Sequence, residues 1–270
     1  MMLRFISFGS GSSGNCYFLQ TANEALLIDT GVGLRTLKKY AHDFGINLQN
    51  VKHILITHDH ADHIKCVGSI SGEMHLPVYA TEIVHNGIDR NYCVARKISS
   101  DLRRFIVPGE TYVLGDFCVK PFTVPHDSSD NVGYELIIQG ISFCVMTDVG
   151  HVTEEMSQYI NRAHYLVIEA NYDCEMLSNG PYPQYLKNRI TSGTGHLSNI
   201  QCGEAIVTNM SERLRHVWLC HLSQENNHPE LARKTVETVA RSRGIIVNKD
   251  FCLDVLKRSM PTGVFDLAID

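Results

Sequence analysis

The apolar run Ile54-Leu55-Ile56-Thr57 passes without a break into His58-Asp59-His60-Ala61-Asp62-His63. Three imidazoles with carboxylates between them, all at the end of one strand-like run, constrain the fold more than any other segment. Without a ligand such crowding costs stability, because each polar group must be desolvated against its neighbours. Nitrogen and carboxylate donors together suit zinc, with manganese or iron as alternatives. Neighbouring side chains diverge, so one ion cannot gather the whole cluster and two ions fit better. Further ligands must come from elsewhere, and three candidates each close an apolar run: His126 after Phe122-Thr123-Val124-Pro125, Asp148 after Phe143 to Thr147, and His221 after Val217 to Cys220. Any one of them alone could be a packing residue. Their recurrence predicts strands that converge on a common edge.

Around these points, period-two alternation and turn residues predict strands over 3–8, 16–20, 25–28, 53–57, 78–80, 105–107, 112–114, 117–124, 132–139, 141–147, 165–169 and 217–220. Helices are predicted over 34–44, 152–160, 199–210 and 229–243, the first ending at Gly45. Strands in runs as well as in alternation with helices argue against a purely parallel sheet and for an α+β fold of two mixed sheets covered by helices. No internal repeat or flexible linker divides the chain, which predicts a single domain. Apolar residues at 44% and charged ones at 20% supply an ordinary core. The 24 basic against 29 acidic side chains, net charge −5, exclude a strongly basic nucleic-acid binder. No stretch approaches the roughly 18 apolar residues of a membrane span, and the opening apolar run is too short for a signal peptide. Nine cysteines, an odd number with no C-x-x-C pair, read as buried thiols of a reducing cytoplasm. Residues 181–260 nevertheless carry 11 basic against 7 acidic side chains, a segment that suits either an anion or a solvated surface.

Gly9-Ser10-Gly11-Ser12-Ser13-Gly14 follows a strand and matches the dinucleotide-binding glycine pattern, but the next residues, Asn15 to Leu19, read as a strand where that site needs a helix. The loop is left as a hairpin turn, or as a set of hydrogen-bond donors for a substrate oxyanion through Ser10, Ser12, Ser13 and Asn15.

The run His58 to His63 resembles the H-x-H-x-D-H signature of the metallo-β-lactamase superfamily, and Asp29, His126, Asp148 and His221 fall where its other motifs are expected. The resemblance covers nearly the whole chain. It implies a four-layer αβ/βα sandwich of two mixed β-sheets flanked by helices. It also implies two divalent metal ions, the first held by His58, His60 and His126, the second by Asp62, His63 and His221, with Asp148 bridging and Asp29 supporting the cluster from behind. A finer resemblance is to the bacterial branch usually called YycJ or WalJ, carried by Phe8 to Cys16, Glu169-Ala-Asn-Tyr-Asp173, Gly180-Pro-Tyr-Pro183, Gly195-His-Leu-Ser-Asn199 and His221 to Asn227. Members of that branch are regarded as exonucleases acting from DNA 5′ ends. Glu169, His196 and His221 resemble, in order, the three motifs that ribonuclease J and the cleavage-factor nucleases carry after the metal core. Only 20 residues separate Asp148 from Glu169, so the clamp domain inserted there in those nucleases is missing.

The resemblance therefore implies a cytoplasmic phosphodiesterase with a nucleic-acid substrate, DNA ends in particular, and no membrane partner. Asp62 would orient the attacking hydroxide and His196, oriented by Glu169, would protonate the leaving oxygen. Phosphate contacts are expected from the Ser10 to Asn15 loop, Lys187, Arg189, Ser198, Asn199, Asn226 and Asn227, with helix capping and chain turning as the competing roles of the last four. Two other readings stand beside this one: a glyoxalase II-like thioester hydrolase, which has no use for a histidine acid, and a metal-dependent accessory protein without turnover.

Overall fold

Fourteen strands, among the described residues, make two seven-stranded mixed sheets in a computed structural model that describes residues 2–269. The chain divides into two units, Met1–Pro121 with Ser128–Val132 and Lys257–Asp270, and Phe122–Asp127 with Gly133–Leu256.

In the first unit β1 (Met2–Gly9), β2 (Cys16–Gln20) and β3 (Ala25–Ile28) form an antiparallel meander. β4 (Val51–Leu55), β5 (Val78–Ala80) and β6 (Arg103–Phe105) then add in parallel. Parallel neighbours need crossovers, and α1 (Leu34–Asp43), α2 (Ala61–Ile64) with α3 (Val67–Met74), and α4 (Glu82–Arg90) supply them. Leu37 and Ala41 of α1, Ile70 of α3, and Val84 and Ile88 of α4 join Phe8, Phe18, Leu27, Ile54 and Val78 in one buried cluster. The pairing Leu27 with Ile54 and Ile28 with Leu55 puts the ends of β3 and β4 side by side, which brings Asp29 to Thr57. A short hairpin, β7 (Tyr112–Leu114) and β8 (Phe117–Thr123), turns at Gly115, whose φ is 56°.

The second unit is built around β9 (Val132–Ile138), β10 (Ile141–Met146), β11 (Tyr165–Glu169), β12 (His216–Cys220) and β13 (Cys252–Val255). The β9–β10 hairpin turns at Gln139-Gly140 with both φ positive, 51° and 85°, the geometry that matches strand twist in a two-residue turn. α5 (Glu154–Arg162), then α6 (Cys174–Asn179), α7 (Gln184–Ile190) and α8 (Asn199–Asn209), then α9 (Pro229–Ser242) carry the parallel connections. Met146 pairs with Ile168, and Glu169 with Cys220, so β10, β11 and β12 end level and present Asp148, Glu169 and His221 at one edge. In open α/β sheets that carboxyl-terminal edge is where ligands bind. β14 (Phe265–Ala268) pairs with β1 to complete the first sheet.

Several expectations need correction. β4 spans 51–55, so Thr57 lies beyond it, and β6 spans 103–105. α5 begins at Glu154, capped by Thr153, two residues after the predicted start. α2, α3, α4, α6, α7, β13 and β14 were not anticipated. All nine cysteines are unpaired thiols, but only Cys16, Cys144, Cys202 and Cys220 are buried, while Cys174 and Cys252 are exposed. No helix among the described residues is long and apolar enough to cross a membrane.

Candidate metal centre and catalytic site

The first unit supplies the histidine motif on a loop that is held from behind. Asp29, fully buried, accepts hydrogen bonds from the Thr57 N–H at 2.9 Å, the Thr57 hydroxyl at 2.9 Å and His63 Nδ1–H at 2.7 Å. Holding the proton on Nδ1 leaves the lone pair of His63 on Nε2, the arrangement by which a carboxylate prepares a histidine for a metal. The Asn15 amide donates to that Nε2 at 2.8 Å. His58 likewise turns Nδ1 to the Thr57 hydroxyl at 3.0 Å, so the nitrogen it could offer a metal is also Nε2. His60 precedes α2, and Asp62 stands in that helix's first turn. The rings of His58 and His63 lie 4.1 Å apart, and those of His58 and His60 4.7 Å apart.

The Gly/Ser loop has a structural task that the sequence did not reveal. Asn15 N–H donates to Asp62 O at 2.8 Å, Gly31 N–H to Asn15 O at 2.8 Å and Thr30 N–H to His63 O at 2.7 Å, which clasps the histidine loop between two segments. Gly31 is required there, since a Cβ would stand 1.6 Å from Asp62 O. Ser10 is fully buried with its hydroxyl on that of Tyr17 at 2.9 Å, and Asn15 is fully buried as well. The expectation that these two contact substrate is therefore corrected; Ser12 and Ser13 alone remain exposed in the loop.

In the second unit Asp148, Glu169, His196 and His221 each offer a ligand atom within 4.8 Å of the others'. Glu169 is the hub. One oxygen accepts Val149 N–H at 2.8 Å and Leu197 N–H at 3.1 Å, while the other accepts His196 Nδ1–H at 2.8 Å and His221 Nδ1–H at 2.9 Å. Burial alone would raise this carboxyl, but the facing His196 charge and the bonds from both rings outweigh it and hold Glu169 below the usual range. Burial pulls His196 down, yet the Glu169 carboxylate beside it wins and raises the imidazole above its ordinary value. Asp148 Oδ1 lies 3.3 Å from His221 Nδ1 and 3.7 Å from His126 Nε2, while Thr147 donates its hydroxyl to Oδ2 at 2.7 Å. His126 gives its Nδ1–H to Gly195 O at 3.0 Å, which again leaves Nε2 as the donor atom. Asp29, Asp148 and His221 all sit just past a strand end with left-handed backbone, φ 61°, 54° and 53°.

Buried imidazoles held at Nδ1 with Nε2 left over, grouped with carboxylates, fit divalent metal ions in both units. Glu169 exceeds its expected part by orienting His221 together with His196. Other expected substrate contacts are spent internally. Ser198 caps α8 in a reciprocal pair with Gln201. Asn199 and Asn227 exchange amide bonds at 3.0 and 2.9 Å, and Asn227 also donates to Ala170 O and Asn171 O, so three of the sequence motifs are tied together. Asn226 is fully buried. Lys187 donates to Ser178 O at 2.6 Å, and Arg189 forms a two-bonded ion pair with Asp127. Thr57, Asp127 and Asn171, whose amide donates to His221 O at 2.8 Å, bond to the candidate site residues without having been foreseen. Asp127, next to His126, carried the one readable signal.

The family described as the beta-lactamase superfamily domain matches residues 24–221. The chain belongs to that superfamily. It is 33% identical over 264 residues to "Exodeoxyribonuclease YycJ" of Bacillus anthracis, covering 98% of this chain and 99% of the relative. It is likewise 33% identical over 248 residues to "Exodeoxyribonuclease WalJ" of Streptococcus pneumoniae, covering 92% of each. In fold it is similar to the metallo-beta-lactamase fold protein YhfI from Bacillus subtilis, with a TM-score of 0.72 at 17% identity, over 99% of this chain and all of that one. As a member of the superfamily the protein is a metal-dependent hydrolase, and its two seven-stranded mixed sheets with flanking helices are the superfamily's fold.

Proposed function

We propose that the protein is a two-metal phosphodiesterase that degrades DNA from 5′ ends in the cytoplasm, working as a single functional domain. The observation that carries this is the Glu169–His196 pair: His196 Nδ1 is held at 2.8 Å, and its ring is raised toward the protonated form by that carboxylate. An alkoxide leaving group needs a proton, and in this reading Nε2 of His196 gives it. A thiolate leaves without it, so a thioester hydrolase would have no use for the pair. The ligand set implied by the superfamily motif is His58, His60 and His126 for one ion and Asp62, His63 and His221 for the other, Asp148 bridging, with zinc ahead of manganese or iron. Such ions, when bound, supply a water of near-neutral pKa and charge neutralisation for in-line displacement at phosphorus. Asp62 would orient the attacking water, while Asp29 holds the His63 ring and Glu169 the His221 ring.

Between Asp148 and Glu169 the chain builds only α5 and the strand β11, so no inserted domain in that stretch grips an internal strand. This favours ends over closed circles. The test is incubation of metal-reconstituted protein with 5′- and 3′-labelled single- and double-stranded DNA and RNA. Release of nucleotides from DNA 5′ ends, at about two ions per chain, is the expected result. Efficient hydrolysis of glutathione thioesters with every oligonucleotide left intact overturns the proposal.

A further inference from the structure

A cleft of about 540 Å³ opens in the first unit beside α4, lined by Asp59, Ile83, Asn86, Arg90, Asn91 and Tyr92. Its volume falls in the roughly 300–1,000 Å³ range of small-ligand sites. Asp59 lies between His58 and His60, so the cleft begins at the histidine motif itself. That junction is fixed. The Asp59 carboxylate accepts the Ser129 hydroxyl at 2.5 Å and its N–H at 3.3 Å, and the Asp59 carbonyl accepts the Asn91 amide at 3.0 Å. Gly87 faces it from α4, where a Cβ would stand 2.0 Å from Asp59 Oδ2. Only glycine lets the helix come so close.

Two lining side chains have no evident part in folding. Tyr92 is 93% exposed, and its hydroxyl bonds to nothing among the described residues. Arg90, at the last turn of α4, is exposed and makes neither an ion pair nor a side-chain hydrogen bond among them. The adjacent Asp89 is by contrast taken by Arg103 through two bonds of 2.7 Å. A large aromatic left in water gains nothing from burial. A ring with an open face and a guanidinium two residues away can take a nucleobase by stacking and its phosphate by charge. Lys187 and Arg189 are engaged within the second unit, which leaves Arg90 the better phosphate contact.

We infer that this cleft seats a nucleotide of single-stranded DNA next to the histidine motif, base on Tyr92 and phosphate on Arg90. The inference rests on the nuclease reading and adds to it the path of the strand. Metal-loaded wild type, Tyr92→Ala, Tyr92→Phe, Arg90→Ala and the Lys187→Ala/Arg189→Ala double variant are compared on labelled oligo-dT and on bis(4-nitrophenyl) phosphate. Oligonucleotide binding is also read by fluorescence anisotropy across a salt series. Tyr92→Ala should raise KM and Kd for oligo-dT by roughly 5- to 150-fold, the range of one lost base stack, with kcat and the nitrophenyl reaction unchanged. Tyr92→Phe should behave as wild type. Arg90→Ala should reduce the salt slope by about 0.7, the value of one phosphate contact to a single strand, while the double variant keeps the wild-type slope. Wild-type affinity and slope in both Tyr92→Ala and Arg90→Ala overturn the inference even if the enzyme degrades DNA. Protein that binds oligo-dT through these residues without cutting it overturns the nuclease reading and leaves the cleft assignment standing. Failure to bind at all overturns both.

Discussion

Replacing Glu169 by Gln separates what the hub carboxylate does for the fold from what it does for the chemistry. The Gln carbonyl oxygen can keep the N–H bonds of Val149 and Leu197, which the structure places at 2.8 and 3.1 Å on one oxygen. On the other side an NH2 group now faces His196 and His221, both of which donate Nδ1–H there in the native protein. To avoid donor against donor, both rings must move the proton to Nε2. His221 then offers a metal an N–H where a lone pair is needed, and His196 loses the charge that stabilises its protonated form. Each native bond to a charged group contributes about 1.5–3 kcal/mol, but the fully buried carboxylate also carries a desolvation cost of several kcal/mol. These offset, so urea unfolding of the metal-free variant should differ from wild type by less than ~2 kcal/mol. Metal affinity should nevertheless fall ~10–100-fold and turnover on DNA ~10²–10⁴-fold. A variant that binds metal and turns over like wild type would reduce Glu169 to a backbone staple. One destabilised by more than ~5 kcal/mol would show that the paired charge is needed chiefly for folding.

His196→Ala should keep full metal content while losing ~10²–10⁴ in rate on DNA, and the loss should shrink on a nitrophenyl phosphodiester, whose leaving group needs no proton; metal loss in this variant would assign the residue to the ligand set. His221→Ala should instead lose metal and both activities. Asp29→Ala strands three buried donors and should cost ~3–5 kcal/mol in chemical unfolding of the metal-free protein; a change below ~1 kcal/mol would mean that water replaces the carboxylate without strain. Asp254 is held below the usual carboxylate range by the hydrogen bond from His216 at 2.8 Å. Its stabilisation is present above the unfolded carboxyl pKa of about 3.9 and lost as pH falls through the lower folded value. The stability gap between wild type and Asp254→Asn should thus hold near neutrality and close in acid; a gap that persists to about pH 2 refutes the linkage.

The ends of strands were the legible part of this chain. β2, β3, β5, β7 and β11 match their expected bounds because each is an apolar run stopped by turn residues. α4 escaped notice because Gly87 reads as a helix breaker, whereas its missing side chain is what admits Asp59. β6 was misplaced toward the more apolar 105–107, because an edge strand carrying Arg103 and Arg104 has little hydrophobic pattern to read. β13 and β14 depend on partners far away in sequence, which local periodicity does not encode. The candidate ligands stood out because chemistry-bearing residues repeatedly closed apolar runs. Several expected substrate contacts are committed inside the fold, for the opposite reason. Asn15, Asn199 and Asn227 have the polarity of ligand-binding residues, and their amides donate to the protein's own backbone and side chains, while Asn226 is simply buried.

The left-handed backbone at Asp29, Asp148 and His221 also governs which sequences can descend from this one. That conformation strongly disfavours β-branched residues, while asparagine visits it at least as readily as aspartate. At Asp29 and Asp148 the neighbours reachable without breaking the chain's path are therefore Asn and Gly, and neither carries the charge. If Asp148 holds a metal, a lineage can lose it there and still keep the turn, so inert descendants should betray themselves by Asn or Gly at that strand end, whose shape has outlived its purpose.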